Sequence, residues 1–313
     1  MNKFLISIVI PIKNEEESIE KLYLEIIDVV KKNKINYQIV FVDDGSTDKS
    51  YQILEKLHKL DKKIKIVKLR GWFGKSIALQ AGFENSNGEI IITMDADLQD
   101  NPIEIPKLIK MLGEGYDLVS GWKKNRHDPI SKTLPSKLGN WTTRLLTGIK
   151  IHDLNCGLKA YKRVVVENLH LYGELYKYIP VLAEKQNFKV GEIIVIHRPR
   201  KYGKSKFGWQ RNIKGFLDML TVTFLTGYMK KPAHFFGTIG IMLSFIGFLI
   251  GVYITYLRVF TGTIQYRQPL LFLGMLLMII GIQLITTGLL AEMLVNLDQK
   301  ENLTEKYIEE KLF

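Results

Sequence analysis

Two carboxylates set two residues apart, Asp95 and Asp97, close an apolar run at 90–94, and the amide of Gln99 follows two positions later. β-Branched residues dominate the run and a charge cluster stops it, which predicts a buried strand ending in acids. Carboxylates at i and i+2 of a strand end can converge on one hard cation, with a Gln oxygen as a further ligand. Such a cation is Mg²⁺ or Mn²⁺, and its natural companion is a diphosphate. Taken alone, so short a pattern more often marks an acidic turn that solvates a strand end. The surrounding elements decide between the two.

Residues 5–10 read as a β-rich strand closed by Pro11, and 14–34 as a helix with apolar periodicity (Ile19, Leu22, Ile26, Ile27, Val30) and three glutamates near its start. A second strand at 38–42 ends in Asp43-Asp44-Gly45-Ser46-Thr47-Asp48, followed by a helix at 49–60. A strand at 64–69 and a helix at 75–85 precede the strand that enters Asp95. Asn101 as N-cap and Pro102 at the first position open a helix to 112, and 116–120 is a fifth strand. Alternation at this spacing predicts an α/β fold, a mostly parallel sheet with helices on both faces. Ligands of open α/β sheets sit at the carboxyl ends of the strands. The clusters at 11–14, 43–48, 70–75 and 95–99 all follow strand ends, so four polar groups meet at one edge. Neither a Gly-x-Gly-x-x-Gly nor a Gly-x-x-x-x-Gly-Lys-Ser/Thr occurs, which leaves dinucleotide and P-loop folds unsupported.

The chain has a second character. No Asp, Glu, Lys or Arg occurs in 233–257 or in 268–291, and each stretch exceeds the roughly 20 apolar residues a helix needs to cross a bilayer core. With only a short loop between, they predict a transmembrane hairpin and a multi-pass membrane protein; the alternative is two buried helices of a soluble core. The net charge of +12 is concentrated ahead of them: residues 1–232 hold 39 of the 44 Lys and Arg but 26 of the 32 Asp and Glu. That excess, with Lys230-Lys231 beside the first span, predicts that the N-terminal part and both termini lie on the cytoplasmic side of a cell membrane, against anionic lipid. Residues 1–11 are too short for a signal peptide and run straight into a strand. The single cysteine, Cys156, excludes an internal disulfide and a Cys-rich metal site. Basic residues crowd 121–150, with Asp128 the one acid, and again 198–214, with Tyr202, Phe207 and Trp209 among them. Residues 216–228 read as an apolar helix at the bilayer surface.

In order, the chain carries Pro11-Ile-Lys-Asn14-Glu15, Asp43-Asp44-Gly45-Ser46-Thr47-Asp48, Gly74-Lys75 before a helix, and Asp95-Ala-Asp97-Leu-Gln99. Asp153-Leu-Asn155-Cys156-Gly157 and Arg200-Lys-Tyr-Gly203-Lys-Ser205-Lys206 follow. With these motifs, about residues 5–210 resemble the family 2 glycosyltransferases of GT-A fold. The closer likeness is to the subgroup that transfers a sugar to a polyisoprenyl phosphate, including dolichyl-phosphate mannose synthases and two-helix bacterial members. The resemblance implies a catalytic domain at 1–206, juxtamembrane interfacial helices at 207–232, two spans within 233–294, and a tail at 295–313. It implies metal-dependent, inverting transfer of one sugar, a glucose-like hexose being favoured, from a nucleotide donor, UDP by analogy, to undecaprenyl or another polyisoprenyl phosphate.

Residue by residue, the resemblance places Pro11, Asn14, Glu15, Asp43 and Asp44 around the nucleotide and Arg70, Gly74 and Lys75 along the diphosphate. Asp95, Asp97 and Gln99 fall on the Mg²⁺ or Mn²⁺, a Lewis acid for the leaving group. A phosphate monoester, with its second pKa near 6, is already largely a dianion at neutral pH and needs no strong base to attack. Its difficulty is approaching a second anion, so cations must surround it. Lys132 and Ser136 match the acceptor-phosphate cluster, Lys132 standing where the family more often has Arg; the charge is kept and the bidentate fork lost. Arg200 and Lys206 match the later phosphate motif, and Lys123 and Arg126 are basic helpers. Asp153 is the expected further active-site carboxylate, orienting acceptor or sugar, against a plain turn cap as the other reading. Cys156, His152 and His197 read as structural.

Three other readings compete. A processive polysaccharide synthase would carry Gln-x-x-Arg-Trp, whereas here Trp209-Gln210-Arg211 runs in another order and only two spans follow. Basic runs with aromatics fit a nucleic-acid binder, but the spans and acidic strand ends oppose it, so no nucleic-acid partner is expected. A catalytically dead assembly partner conflicts with the intact acidic set. The partners expected are the donor, the lipid phosphate, the bilayer and, through apolar hairpin surface, further copies of the chain.

Overall fold

A computed structural model describes residues 4–124, 143–144, 148–199, 232–264, 266–297 and 308–312. Arg126, Lys132, Ser136, Arg200 and Lys206, and the surface helix expected at 216–228, lie outside the described residues. The chain divides into two compact units, Met1–Val222 with Asn302–Phe313, and Thr223–Glu301.

The first unit is built on an eight-stranded sheet ordered β7-β5-β6-β4-β1-β2-β3-β8. β1 (Ile6–Ile12), β2 (Tyr37–Asp43), β3 (Ile64–Leu69) and β4 (Ile90–Thr93) run parallel. Every residue of β2 is buried, as expected for a parallel strand covered on both faces. β6 (Lys159–Lys162) is antiparallel between β4 and β5 (Leu118–Trp122), and β7 (Val190–Ile194) lies parallel to β5. The outer strand β8 (Ile308–Leu312) pairs antiparallel with β3, with a register shift at Lys68/Leu69. Helix α1 (Ile19–Lys32) buries Ile19, Leu22, Ile26, Val29 and Val30, one stripe at helical spacing. Helices α2 (Ser50–Leu60), α3 (Lys75–Glu84) and α4 (Ile105–Gly113) complete the crossovers. The helix expected from Pro102 begins as a 3₁₀ turn, Pro102–Glu104, in which the Asn101 side chain accepts from Ile103 N at 3.2 Å. Short helices α5 (Arg163–Glu167) and α6 (Ile179–Lys185) follow β6.

The expectation of a mostly parallel α/β sheet holds. Its four acidic and basic clusters follow the carboxyl ends of β1 to β4, and the reversed β6 brings its entry loop, 153–158, to the same edge, where Lys159 pairs with Thr93.

The second unit is a helical hairpin, α7 (Pro232–Thr261) and α8 (Gln268–Leu297). Its close approaches fall at small residues: a Cβ on Gly240 would lie 2.5 Å from the Gly281 carbonyl, and one on Gly247 2.5 Å from that of Gly274. Small residues at such crossings let apolar helices pack backbone to backbone. Ile241, Phe245, Phe248, Phe272 and Ile279 are all more than half exposed, so the hairpin is no buried core of a soluble protein. Both helices are long and apolar enough to cross a membrane.

Candidate active site

Three loops meet at one end of the edge. Asn14, at φ 51°, donates its backbone N–H to Ser46 Oγ (3.0 Å) and accepts from Thr47 N through Oδ1 (2.8 Å). Glu15 N donates to Ser50 Oγ at 2.8 Å, and Lys13 Nζ donates to the Gly45 carbonyl. Asp43 accepts from Ser46 N at 3.1 Å. Asp44 accepts from Phe73 N (2.7 Å) and Gly74 N (3.0 Å), so its carboxylate holds the loop that leads into α3. Burial pushes both carboxyls up, opposed by these hydrogen bonds. Gly45 has no substitute: its φ is 68°, and a Cβ would lie 2.6 Å from the Gly71 backbone. Arg70 is exposed on that loop. Pro11 lies at the carboxyl end of β1, opposite Val42 of β2, and is the one residue of that strand that is not fully buried.

At the centre lies Asp95, with its side chain 29% exposed and Lys75 Nζ ion-paired to Oδ1. Its backbone N–H donates to Asp100 Oδ2 (3.1 Å), and Asp100 Oδ1 pairs with Lys123 Nζ (2.8 Å). Lys159 is buried beneath, its ammonium donating to the Cys156 carbonyl. Burial raises the Asp95 carboxyl, but Lys75, Lys123 and Lys159 outweigh it and hold the group below the usual carboxylate range. Lys123 is the converse: burial weakens its hold on the proton, while Asp100 and then Cys156 and Asp95 strengthen it, so it stays charged. Burial lowers the Lys159 ammonium, and it pushes the Cys156 thiol up to about 12, leaving a neutral packed residue. Gly157 makes room for the arrangement, since a Cβ there would meet Asp95 Cγ at 2.6 Å and Asp100 Oδ2 at 2.8 Å.

Asp97, 8% exposed, accepts from Gln99 N at 3.2 Å across a turn in which Leu98 has φ 62°. The Gln99 amide nitrogen lies 3.3 Å from His197 Nε2 and 3.4 Å from the Arg198 carbonyl. Arg198 in turn pairs with Glu25 of α1 at 2.6 Å. Asp95, Asp97 and Gln99 are hard oxygen donors within one turn, and Lys75 already puts a positive charge on the first of them, so the set fits Mg²⁺ or Mn²⁺. Among the described residues no three His, Cys, Asp or Glu side chains converge, so remaining ligands would be the amide and substrate oxygens.

Asp153 is 1% exposed; Oδ2 accepts from Lys123 N (3.3 Å) and Oδ1 from Asn155 N (3.2 Å). In this geometry it caps its own turn and fixes Lys123. Sequence reasoning missed Asp100, Lys159 and His197 as members of the edge. Asp100, next to Gln99, was there to be found as a third acid; the other two carry no local signal.

A sequence profile described as glycosyl transferase family 2 matches residues 7–169. The chain is 34% identical over 313 residues to a dodecaprenyl-phosphate galacturonate synthase of Rhizobium johnstonii, covering 98% of this chain and 93% of that one. It is 37% identical over 289 residues to an undecaprenyl-phosphate 4-deoxy-4-formamido-L-arabinose transferase of Photorhabdus laumondii, covering 92% and 87%. In fold it is similar to glucosyl-3-phosphoglycerate synthase of Mycobacterium tuberculosis crystallised with Mn²⁺, UDP-glucose and phosphoglyceric acid, with TM-score 0.53, 21% identity, and 70% and 80% of the two chains covered. Profile, relatives and fold agree with the acidic edge at the strand ends: this chain is a glycosyltransferase and belongs to glycosyl transferase family 2.

Proposed function

We propose that this glycosyltransferase is membrane-anchored and moves one sugar from a nucleotide donor to a polyprenyl phosphate, with a divalent cation at Asp95, Asp97 and Gln99. The observation that carries it is the juxtaposition of Asp95 and Lys75 at the start of α3 with Lys123 on Asp100, an acidic seat ringed by ammonium groups. The names of the two relatives, which match along more than nine-tenths of this chain, supply the acceptor class. They name galacturonate and 4-deoxy-4-formamido-L-arabinose, so these sugars take precedence over the glucose-like hexose that the sequence resemblance favours.

In this reading a bound cation screens the diphosphate and stabilises the leaving group. The loops at 13–15 and 45–47 frame the nucleotide, held together by Asn14, Ser46 and Thr47. Lys75 and the first turn of α3 give the diphosphate positive charge. The acceptor phosphate dianion attacks the anomeric carbon from the opposite face, the bond to the diphosphate oxygen breaks, and configuration inverts. Lys123, kept charged by Asp100, lowers the repulsion between the two anions. Lys132, Ser136, Arg200, Lys206 and Arg126, outside the described residues, are assigned to the acceptor phosphate by the family resemblance alone.

Connectivity supports the anchor. β8 follows α8 in the chain yet joins the sheet that precedes α7, so the apolar hairpin must cross an even number of times. With the basic excess before residue 233, both termini are assigned to the cytoplasmic side.

The test incubates membranes holding the protein with undecaprenyl phosphate and labelled UDP-galacturonate, UDP-4-deoxy-4-formamido-L-arabinose and UDP-glucose. Label should enter the lipid fraction from one donor, and Asp97→Ala should abolish that transfer. No lipid label from any nucleotide sugar, or full turnover by the variant, would overturn the reading.

A further inference from the structure

Asp95 is surrounded by three lysines, and they are not equivalent. Lys123 has its side chain 11% exposed and is ion-paired with Asp100. Lys159 is 4% exposed and donates to the Cys156 carbonyl. Neither has anywhere to go. Lys75 differs: its side chain is 27% exposed, it opens α3 at the solvent end of the edge, and its ammonium lies 5.1 Å over the Tyr176 ring. Its backbone is nonetheless fixed, because Asp44 holds the N–H groups of Phe73 and Gly74 immediately before it. A flexible four-carbon stem on a fixed pivot can place one charge in two positions.

Both positions exist here. One is Asp95, where the ammonium now sits. The other is the first turn of α3, which has no side-chain cap among the described residues and whose N–H groups favour an anion. A divalent cation cannot use Asp95 Oδ1 while Lys75 holds it, and an arriving diphosphate needs Lys75 most when the cation has displaced it. We infer that Lys75 is an exchangeable occupant of the cation seat, paired with Asp95 until a metal takes its place and then moving to the donor diphosphate. The inference rests on the cation assignment proposed above. It makes cation and nucleotide mutually dependent: each clears or fills the position the other requires. By linkage the coupling is reciprocal. The donor site thus closes as a unit, and neither metal nor nucleotide alone binds well.

The experiment titrates Mn²⁺ into the purified full chain in detergent, following free Mn²⁺ by electron paramagnetic resonance, with and without UDP. In the wild type, UDP should tighten Mn²⁺ binding by about tenfold or more. Lys75→Met should bind Mn²⁺ alone by about tenfold more tightly than wild type and show little further gain from UDP. Equal or weaker binding by the variant refutes the exchange and leaves metal-dependent transfer standing. Absence of Mn²⁺ binding by both proteins, even with UDP, refutes exchange and cation assignment together. A second measurement needs no variant. Acetylation of Lys75, mapped by mass spectrometry on the wild-type protein, should rise with Mn²⁺ alone and fall when UDP is added. Labelling indifferent to Mn²⁺ overturns the inference.

Discussion

Asp95 owes its charge state to its neighbours rather than to exposure. Burial alone would raise its carboxyl, and the lysines around it reverse that. The reversal depends on where Asp95 and Asp100 sit, and Gly157 decides how closely the 153–157 turn passes them. The Thr93 hydroxyl donating to the Gly157 carbonyl at 2.8 Å locks that passage. Gly157→Ala should therefore displace both carboxylates. We expect kcat/KM to fall by about 10²-fold, the usual consequence of a misplacement near 1 Å, and stability to drop by about 1–3 kcal/mol from overpacking. Kinetics and thermal melting check the two; an alanine variant with wild-type values would mean that the turn relaxes freely. At this scale the sequence exposes the proposed cation ligands but not their setting. Asp95, Asp97 and Gln99 alternate at the end of an apolar run, and the polar clusters that follow the other strand ends single them out from an ordinary acidic turn. His197 lies 98 positions from Gln99, and Lys159 looks like any strand lysine until the sheet buries it.

Among the elements, the reversed strand β6 is the joint on which the site depends, because it carries the 153–157 turn to the acidic edge. Asp117 secures it, pairing with Lys162 of β6 (2.9 Å) and accepting from Lys189 N ahead of β7 (2.9 Å). Slight burial raises the Asp117 carboxyl, and Lys162 with the Lys189 N–H lowers it by more. Its folded pKa thus lies below the unfolded value. The stability it contributes is present above the unfolded value of 3.8 and is lost as pH falls through the folded one. Asp117→Asn should cost about 1 kcal/mol at pH 7, given a half-screened pair. The gap from wild type should close toward pH 3 in parallel melts, and a gap independent of pH would contradict the assignment. Strands β1 to β4 are legible because parallel strands buried on both faces read as apolar runs. β6 is visible as a short strand, but its direction and its place between β4 and β5 depend on contacts distant in sequence. β7 and helices α5 and α6 are too short and too mixed to announce themselves.

On the scale of the whole molecule, hydropathy marks the hairpin plainly, since helices of soluble proteins seldom stay uncharged all round over such a length. It says nothing of β8, a five-residue strand with three charged positions that lies well past the second apolar helix. Deleting 308–313 should leave both apolar helices in place while costing the first unit about 1–3 kcal/mol of cross-strand pairing. It should also weaken UDP binding severalfold, because β3 leads directly to Arg70 and the loop at Lys75. Melting and nucleotide titration of the shortened chain check this, and unchanged UDP affinity would separate β8 from the donor loop. β8 also imposes an order on biosynthesis. A ribosome finishes β3 early, yet its outer edge stays bare until everything from residue 70 to 307 has been made, both greasy helices included. Nascent chains therefore carry a sticky flank uncovered through the synthesis of both apolar helices, and the sheet is sealed only after the second of them has been made.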